Sequence, residues 1–207
     1  MRGLTLVTAP AAEPVSLAEA KAHLRIDSAD DDSLITALIS AARQAAESHT
    51  RRALITQTWR LTLDRFPAAP QPWWGGVREG ADMPAAGSVI ELPRPPLVSV
   101  TSVTTYDDAD NATVASAASY FVDTDGVLGR VALRSGKTWP VTLRVAGGVE
   151  VLFVAGYGAA SAVPQAIRQG MLMQIGHLYE NREAEAAQAS PPAGVAALWR
   201  PYRVLGL

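Results

Sequence analysis

The sequence predicts an α+β protein: a helical core, built from N-terminal helices and one C-terminal helix, carries an inserted antiparallel β domain and ends in an extended C-terminal tail. Two observations predict this. Apolar residues recur at helical spacing up to about residue 50, alternate with polar residues from Leu54 to Ala155, and return to helical spacing after Pro164. Clusters such as Asp107-Asp108-Ala109-Asp110-Asn111 and Asp123-Thr124-Asp125-Gly126 punctuate the middle region with turn chemistry, as in an antiparallel sandwich or small barrel. The expected boundaries are 1–53 for the N-terminal helical part, 54–158 for the β insert, 159–184 for the helix that completes the core, and 185–207 for the tail.

Each element has a local cause. Ser16-Leu17-Ala18-Glu19 is a capping box, and Leu17, Ala20 and Leu24 follow at helical spacing, so a first helix runs from about Leu17 to Leu24. Asp30-Asp31-Asp32-Ser33 opens a longer helix, where carboxylates accept free backbone N–H groups and oppose the macrodipole. Its apolar stripe is Leu34, Ile35, Leu38, Ile39, Ala42, Ala45 and Ala46, with Arg43, Gln44, Glu47 and Ser48 outside it. From Leu54 the period becomes two, with Ile55, Trp59, Leu61 and Leu63 sharing a face.

A Pro/Gly/Trp-rich stretch at 68–87 follows, a long loop of the kind that is functional or mobile. Strands are expected at Val89–Leu92, Val98–Tyr106, Tyr120–Val122, Val127–Leu133, Val141–Val145 and Val149–Ala155, with Gly147-Gly148 as a hairpin turn. Pro164 suits a helix start, and Ile167, Met171, Ile175, Leu178 and Tyr179 mark an amphipathic helix to about Arg182. Leu38, Ile39 and Ala42 are expected to pack on Ile167, Met171 and Ile175.

Composition narrows the function. Among 207 residues, 48% are hydrophobic and 18% charged, so a packed core is expected and general disorder is not. The formal charge is -2 and the pI about 5.9, which argues against a protein whose task is wrapping DNA. Cysteine is absent, which removes disulfides, thiol catalysis and Cys-based zinc sites. No signal peptide or membrane-spanning run is visible, implying a chain made in a cytoplasm and kept there until assembly.

Candidate chemistry is thin, and neither a catalytic residue, a cofactor site nor a metal site is expected. The Asp30-Asp31-Asp32 run lacks the Gly and distal Glu of a calcium loop, and a helix start explains it. His177 with Glu180 and Glu183 has the wrong order and copy number for a di-iron site, while His23 and His49 lie in no motif. Gly-x-Ser-x-Gly is missing, and Gly156-Tyr157-Gly158 is better placed at a strand-to-helix corner than in a phosphate loop. Arg51-Arg52 is a small basic spot whose expected role is to complement the negative end of the long helix.

The last ten residues differ from the rest. Leu198, Trp199, Arg200, Pro201, Tyr202, Arg203 and Leu205 concentrate aromatic, Arg and Leu side chains where a chain end is usually polar. Such residues are costly to expose and are those that dominate binding energy at interfaces. They meet that cost by folding back on their own core or by docking into a neighbour. The Ala/Pro-rich spacer ahead of them favours docking.

The order of motifs resembles phage head–tail connector proteins, in particular the long branch found in prophages and gene transfer agents. The resemblance rests on Ala12–Arg25 with the Asp run and long helix, on Arg52–Trp59, on Leu92-Pro93-Arg94-Pro95-Pro96-Leu97, on Gly156-Tyr157-Gly158 with Val163–Ile167, on Gly176–Arg182, and on Pro201-Tyr202-Arg203. It implies a structural adaptor, not an enzyme, forming a twelve-fold homo-oligomeric ring between the portal protein and the next connector (stopper). DNA would pass through the channel without specific binding. The site would be at the head–tail interface of a virion assembled in a bacterial cytoplasm, with the C-terminal residues just named as the portal contact. The alternative readings are another virion connector role, stopper or tail terminator, or a DNA-packaging accessory protein.

Overall fold

A computed structural model describes residues 2–67, 89–140, 142–181 and 191–205. The loop at 68–87, with Trp73 and Trp74, and most of the spacer at 185–190 lie outside the described residues. The chain divides into two compact units: Met1–Thr8 with Thr58–Ala155, and Ala9–Gln57 with Gly156–Leu207. The β unit therefore interrupts the helical one in chain order. It also takes in the first residues, and the tail belongs to the helical unit.

In the β unit, β1 (Arg2–Thr8) and β2 (Gln57–Leu63) are followed by β3 (Val89–Leu92), β4 (Leu97–Tyr106), β5 (Ala112–Val114), β6 (Tyr120–Asp123), β7 (Gly129–Leu133) and β8 (Val149–Ala155). One sheet has the order β1-β2-β8-β4-β5 and the other β3-β7-β6. Alternation drives this pairing: β8 buries Val149, Val151, Phe153 and Ala155, and β2 buries Trp59, Leu61 and Leu63. Gly129 lies against Leu97, where any Cβ would collide. Trp139 stacks on Phe66 with ring centroids 4.4 Å apart.

Two elements of this unit were not expected. β1 pairs antiparallel with β2 from Arg2↔Leu63 to Thr8↔Thr58, although these residues fall within the 1–53 span expected to be helical. β5 extends the turn after β4 through Thr104↔Val114 and Tyr106↔Ala112. Conversely, residues 142–145 of the expected Val141–Val145 strand form none, and residue 141 lies outside the described residues. The reason is local. Arg144 turns back, its guanidinium donating to the Gly147 carbonyl at 2.9 Å and to Asp110 at 2.9 Å, while Val145 is 89% exposed.

In the helical unit, α1 (Leu17–Leu24), α2 (Asp32–Thr50), α3 (Gln165–Glu180) and α4 (Ala193–Trp199) enclose one core. The capping box forms: the Glu19 N–H donates to Ser16 Oγ at 3.2 Å and the Ser16 N–H to Glu19 Oε2 at 2.8 Å. The Asp run works differently from the expectation, since Asp31 makes no side-chain cap. Asp31 instead accepts the Tyr179 hydroxyl at 2.5 Å and Asp32 pairs with Lys21 at 2.6 Å, so the carboxylates tie α3 and α1 to the start of α2.

The α2 stripe is shifted by the same packing. Ile35, Ile39, Ala42 and Ala46 are buried with Ile167, Met171 and Ile175, whereas Leu38 is only partly buried at the margin. Arg43 and Glu47, expected outside the stripe, are both buried because they are paired. Arg43 donates to Glu13 at 2.8 Å and to Glu47 at 3.0 Å, and Glu47 accepts the Leu54 N–H at 3.0 Å and the Gln57 amide. Leu54 and Ile55 accordingly belong to the helical core and not to the strand, which begins at Gln57. Gly156, at φ 135°, lies so close to the Ile55 carbonyl that no Cβ fits.

Candidate interface at the C-terminal segment

The C-terminal segment is a short helix followed by a 3₁₀ turn, Arg200–Tyr202, and not an extended tail. Pro192 stands at the N-cap of α4 and ends the spacer, since proline cannot donate to a preceding turn. Val195 and Trp199 then share one face of α4, four residues apart, and both are buried.

Trp199 is 0% exposed. Its indole N–H donates to the Ile167 carbonyl at 3.2 Å, and its ring lies 5.7 Å from that of His49. Gly170, in the middle of α3, makes the fit possible, because a Cβ there would strike the indole. The Val204 N–H donates to the Thr50 carbonyl at 3.0 Å and Arg52 Nε to the Tyr202 carbonyl at 2.6 Å. These bonds answer two needs together, capping α2 and seating the chain end.

The expectation that this segment leaves its own domain is therefore corrected. Leu198 and Tyr202 pack against the helical core and Trp199 lies inside it, so folding back is the placement realised. Packed over Gly170, the indole gains burial and a hydrogen bond to the Ile167 carbonyl. Arg200, Pro201, Arg203 and Leu205 stay exposed, Leu205 at 81%. Arg51, at φ 59°, caps α2, whereas Arg52 acts on the chain end and not on the helix dipole.

The electrostatics of this end are cationic. Burial first, and then the positive charge of Arg203, push the His49 imidazole below its ordinary value. Burial raises the Tyr157 phenol, against the opposing pull of Arg52. Among the described residues no group of three or more His, Cys, Asp or Glu side chains could hold a metal ion. His177 is engaged by the Asn181 amide at 3.3 Å, and Glu183 lies outside the described residues. No described helix is long and apolar enough to cross a membrane.

Residues 14–79 match the family described as phage gp6-like head-tail connector protein. Over those residues the chain is similar to the phage head–tail connector family. That family is one of structural proteins and not of enzymes. Among solved structures, a chain in the neck of an empty GTA particle computed with C6 symmetry is 28% identical with a TM-score of 0.76, covering 99% of this chain and 97% of that one. A chain of the virion of a native gene transfer agent (GTA) particle is 29% identical with a TM-score of 0.73, covering 99% and 96%. A third, in the neck of a native GTA particle computed with C12 symmetry, is 28% identical with a TM-score of 0.64, covering 99% and 97%. No curated protein matches.

The family match thus spans α1, α2 and β2, whereas the likeness to the neck chains runs over nearly the full length. What sequence reasoning missed was the return of the C-terminal segment. One signal could have found it: Gly170 interrupts an otherwise favourable helix, at a cost of about 1 kcal/mol, and so called for a close neighbour.

Proposed function

We propose that this chain is a head–tail adaptor of a gene transfer agent or related tailed-phage-like particle, forming a ring between the portal and the next connector (stopper) and leaving a channel for DNA. The observation that carries this is the match over 99% of the chain, through both units, to a chain of a particle neck. A twelve-fold ring fits the C12 symmetry of one such neck. The net charge of -2 suits a channel wall along which DNA slides without being held. The ring takes its place at the virion's head–tail interface after synthesis in a bacterial cytoplasm.

The portal contact is assigned to what the C-terminal segment leaves exposed at its apolar end, Pro201 and Leu205, with Trp199, Leu198 and Tyr202 holding that end in place. Co-expression with the portal of the same particle, followed by imaging, tests the reading. The expected result is a closed ring on one end of the portal, lost with Leu205→Asp while the thermal midpoint is unchanged. A chain found only at the far end of tails, or bound only to the stopper, overturns it in favour of a terminator or stopper role.

A further inference from the structure

The helical unit is electrically polar along α2. At one end lie Arg51, Arg52, Arg200 and Arg203, drawn from two distant stretches of chain and held together by the Val204–Thr50 and Arg52–Tyr202 hydrogen bonds. Arg51, Arg200 and Arg203 are exposed and make no ion pair with any described residue. Among the described residues, the carboxylate nearest in sequence, Glu47, is buried and already held by Arg43 and Gln57. Burial lowers the His49 imidazole first, and the positive charge of Arg203 lowers it further.

The other end of α2 is acidic. Asp27, Asp30, Asp31, Asp32 and Glu180 gather there, against Lys21 and Arg25. Asp31 and Asp32 are engaged by Tyr179 and Lys21, whereas Asp27 and Asp30 are exposed and make no ion pair among the described residues. The 19 residues of α2 separate the two ends by about 28 Å at 1.5 Å per residue. One copy cannot neutralise its own charges across that distance.

A closed ring of identical chains has a head-to-tail contact, in which two different faces of one chain must fit each other. We infer that these two ends are such a pair: Arg51, Arg200 and Arg203 of one copy meet Asp27 and Asp30 of the next. Complementary charges at the rim of a contact set register and speed encounter more than they add affinity. That suits a ring whose copies must join in one orientation. The occupant is a second copy, because the complementary charge is present in this same chain. The inference rests on the ring reading above.

The test is a charge exchange in the full chain co-expressed with its portal, counting closed rings per portal by imaging. Arg200→Glu with Arg203→Glu is expected to reduce ring closure at least tenfold, as is Asp27→Arg with Asp30→Arg. All of these side chains are exposed, so thermal midpoints should stay at the parent value. A chain carrying all four changes has its ends exchanged and is self-complementary again. Its ring closure should recover, while it fails to mix with the parent chain. The inference is overturned if the four-change chain stays as defective as either pair, if either pair closes rings normally, or if the arginine pair instead loses binding to duplex DNA or to isolated portal. A parent chain that never closes a ring on its portal overturns the ring reading itself, which separates the two failures.

Discussion

Trp199→Ala removes the largest fully buried side chain among the described residues, and its effect can be worked out from the contacts. The indole is 0% exposed, fills the space left by Gly170, and donates to the Ile167 carbonyl. Truncating a buried Trp to Ala costs about 3–5 kcal/mol, including the cavity left behind. The carbonyl of Ile167 keeps its helical partner, so loss of the indole bond adds at most about 1 kcal/mol. The affected helical unit is of about 100 residues, for which 1 kcal/mol moves the midpoint by about 4–8 °C. The helical circular dichroism signal should therefore melt about 12 °C or more below the parent. Leu205→Ala, at a site 81% exposed, serves as the control and should melt with the parent. A fall of under about 3 °C for Trp199→Ala, on the same size scaling, would refute the packing argument.

Three further outcomes are expected. Gly170→Ala, although it raises helix propensity, should destabilise by about 1–3 kcal/mol, because the added methyl overpacks the indole; denaturant melts check this. Ile35→Ala should cost about 2–5 kcal/mol and Leu38→Ala distinctly less, since Ile35 is 0% exposed and Leu38 is marginal; equal costs would return the stripe to its sequence-based phase. The Ser16 N–H and hydroxyl, with Arg168, hold the Glu19 carboxyl below the usual carboxylate range. Its contribution is thus present above the unfolded carboxylate value and lost as pH falls through the lowered folded value, so Glu19→Gln should flatten the acid limb of stability below about pH 4.5. Urea midpoints measured from pH 6 downwards, on a scale set by the ordinary carboxylate value, decide it.

How far the sequence revealed the fold depends on the range of the cause. α1 and α2 were legible because a capping box and a 3.6-residue stripe are local, and β8 because strict alternation is local too. β1 was not legible. Gly3-Leu4-Thr5-Leu6-Val7 alternates too briefly to stand out, and it is a strand only because β2, some fifty residues away, supplies its hydrogen bonds. Arg43 and Glu47 misled for a similar reason: charged residues look solvated until a partner such as Glu13 or Gln57 arrives from elsewhere in the chain. The Val141–Val145 reading failed because Arg144 finds better partners in a turn than in a ladder.

The candidate site shows the same limit in sharper form. An aromatic chain end after a proline-rich spacer is consistent with reach towards a partner or with return to its own core, and periodicity cannot separate them. What separates them is a vacancy of the right shape, and Gly170 on α3 supplies it. The consequence for this chain is specific. Because Val195, Trp199 and Val204 are buried, deleting the residues after Gly194 would strip the helical unit of part of its core and leave the end of α2 uncapped. A truncated chain that failed to attach to a portal would then report unfolding as much as lost contact. Only substitutions confined to the exposed remainder, Arg200, Pro201, Arg203 and Leu205, can ask what that end binds, because they change the surface while the indole keeps the segment seated.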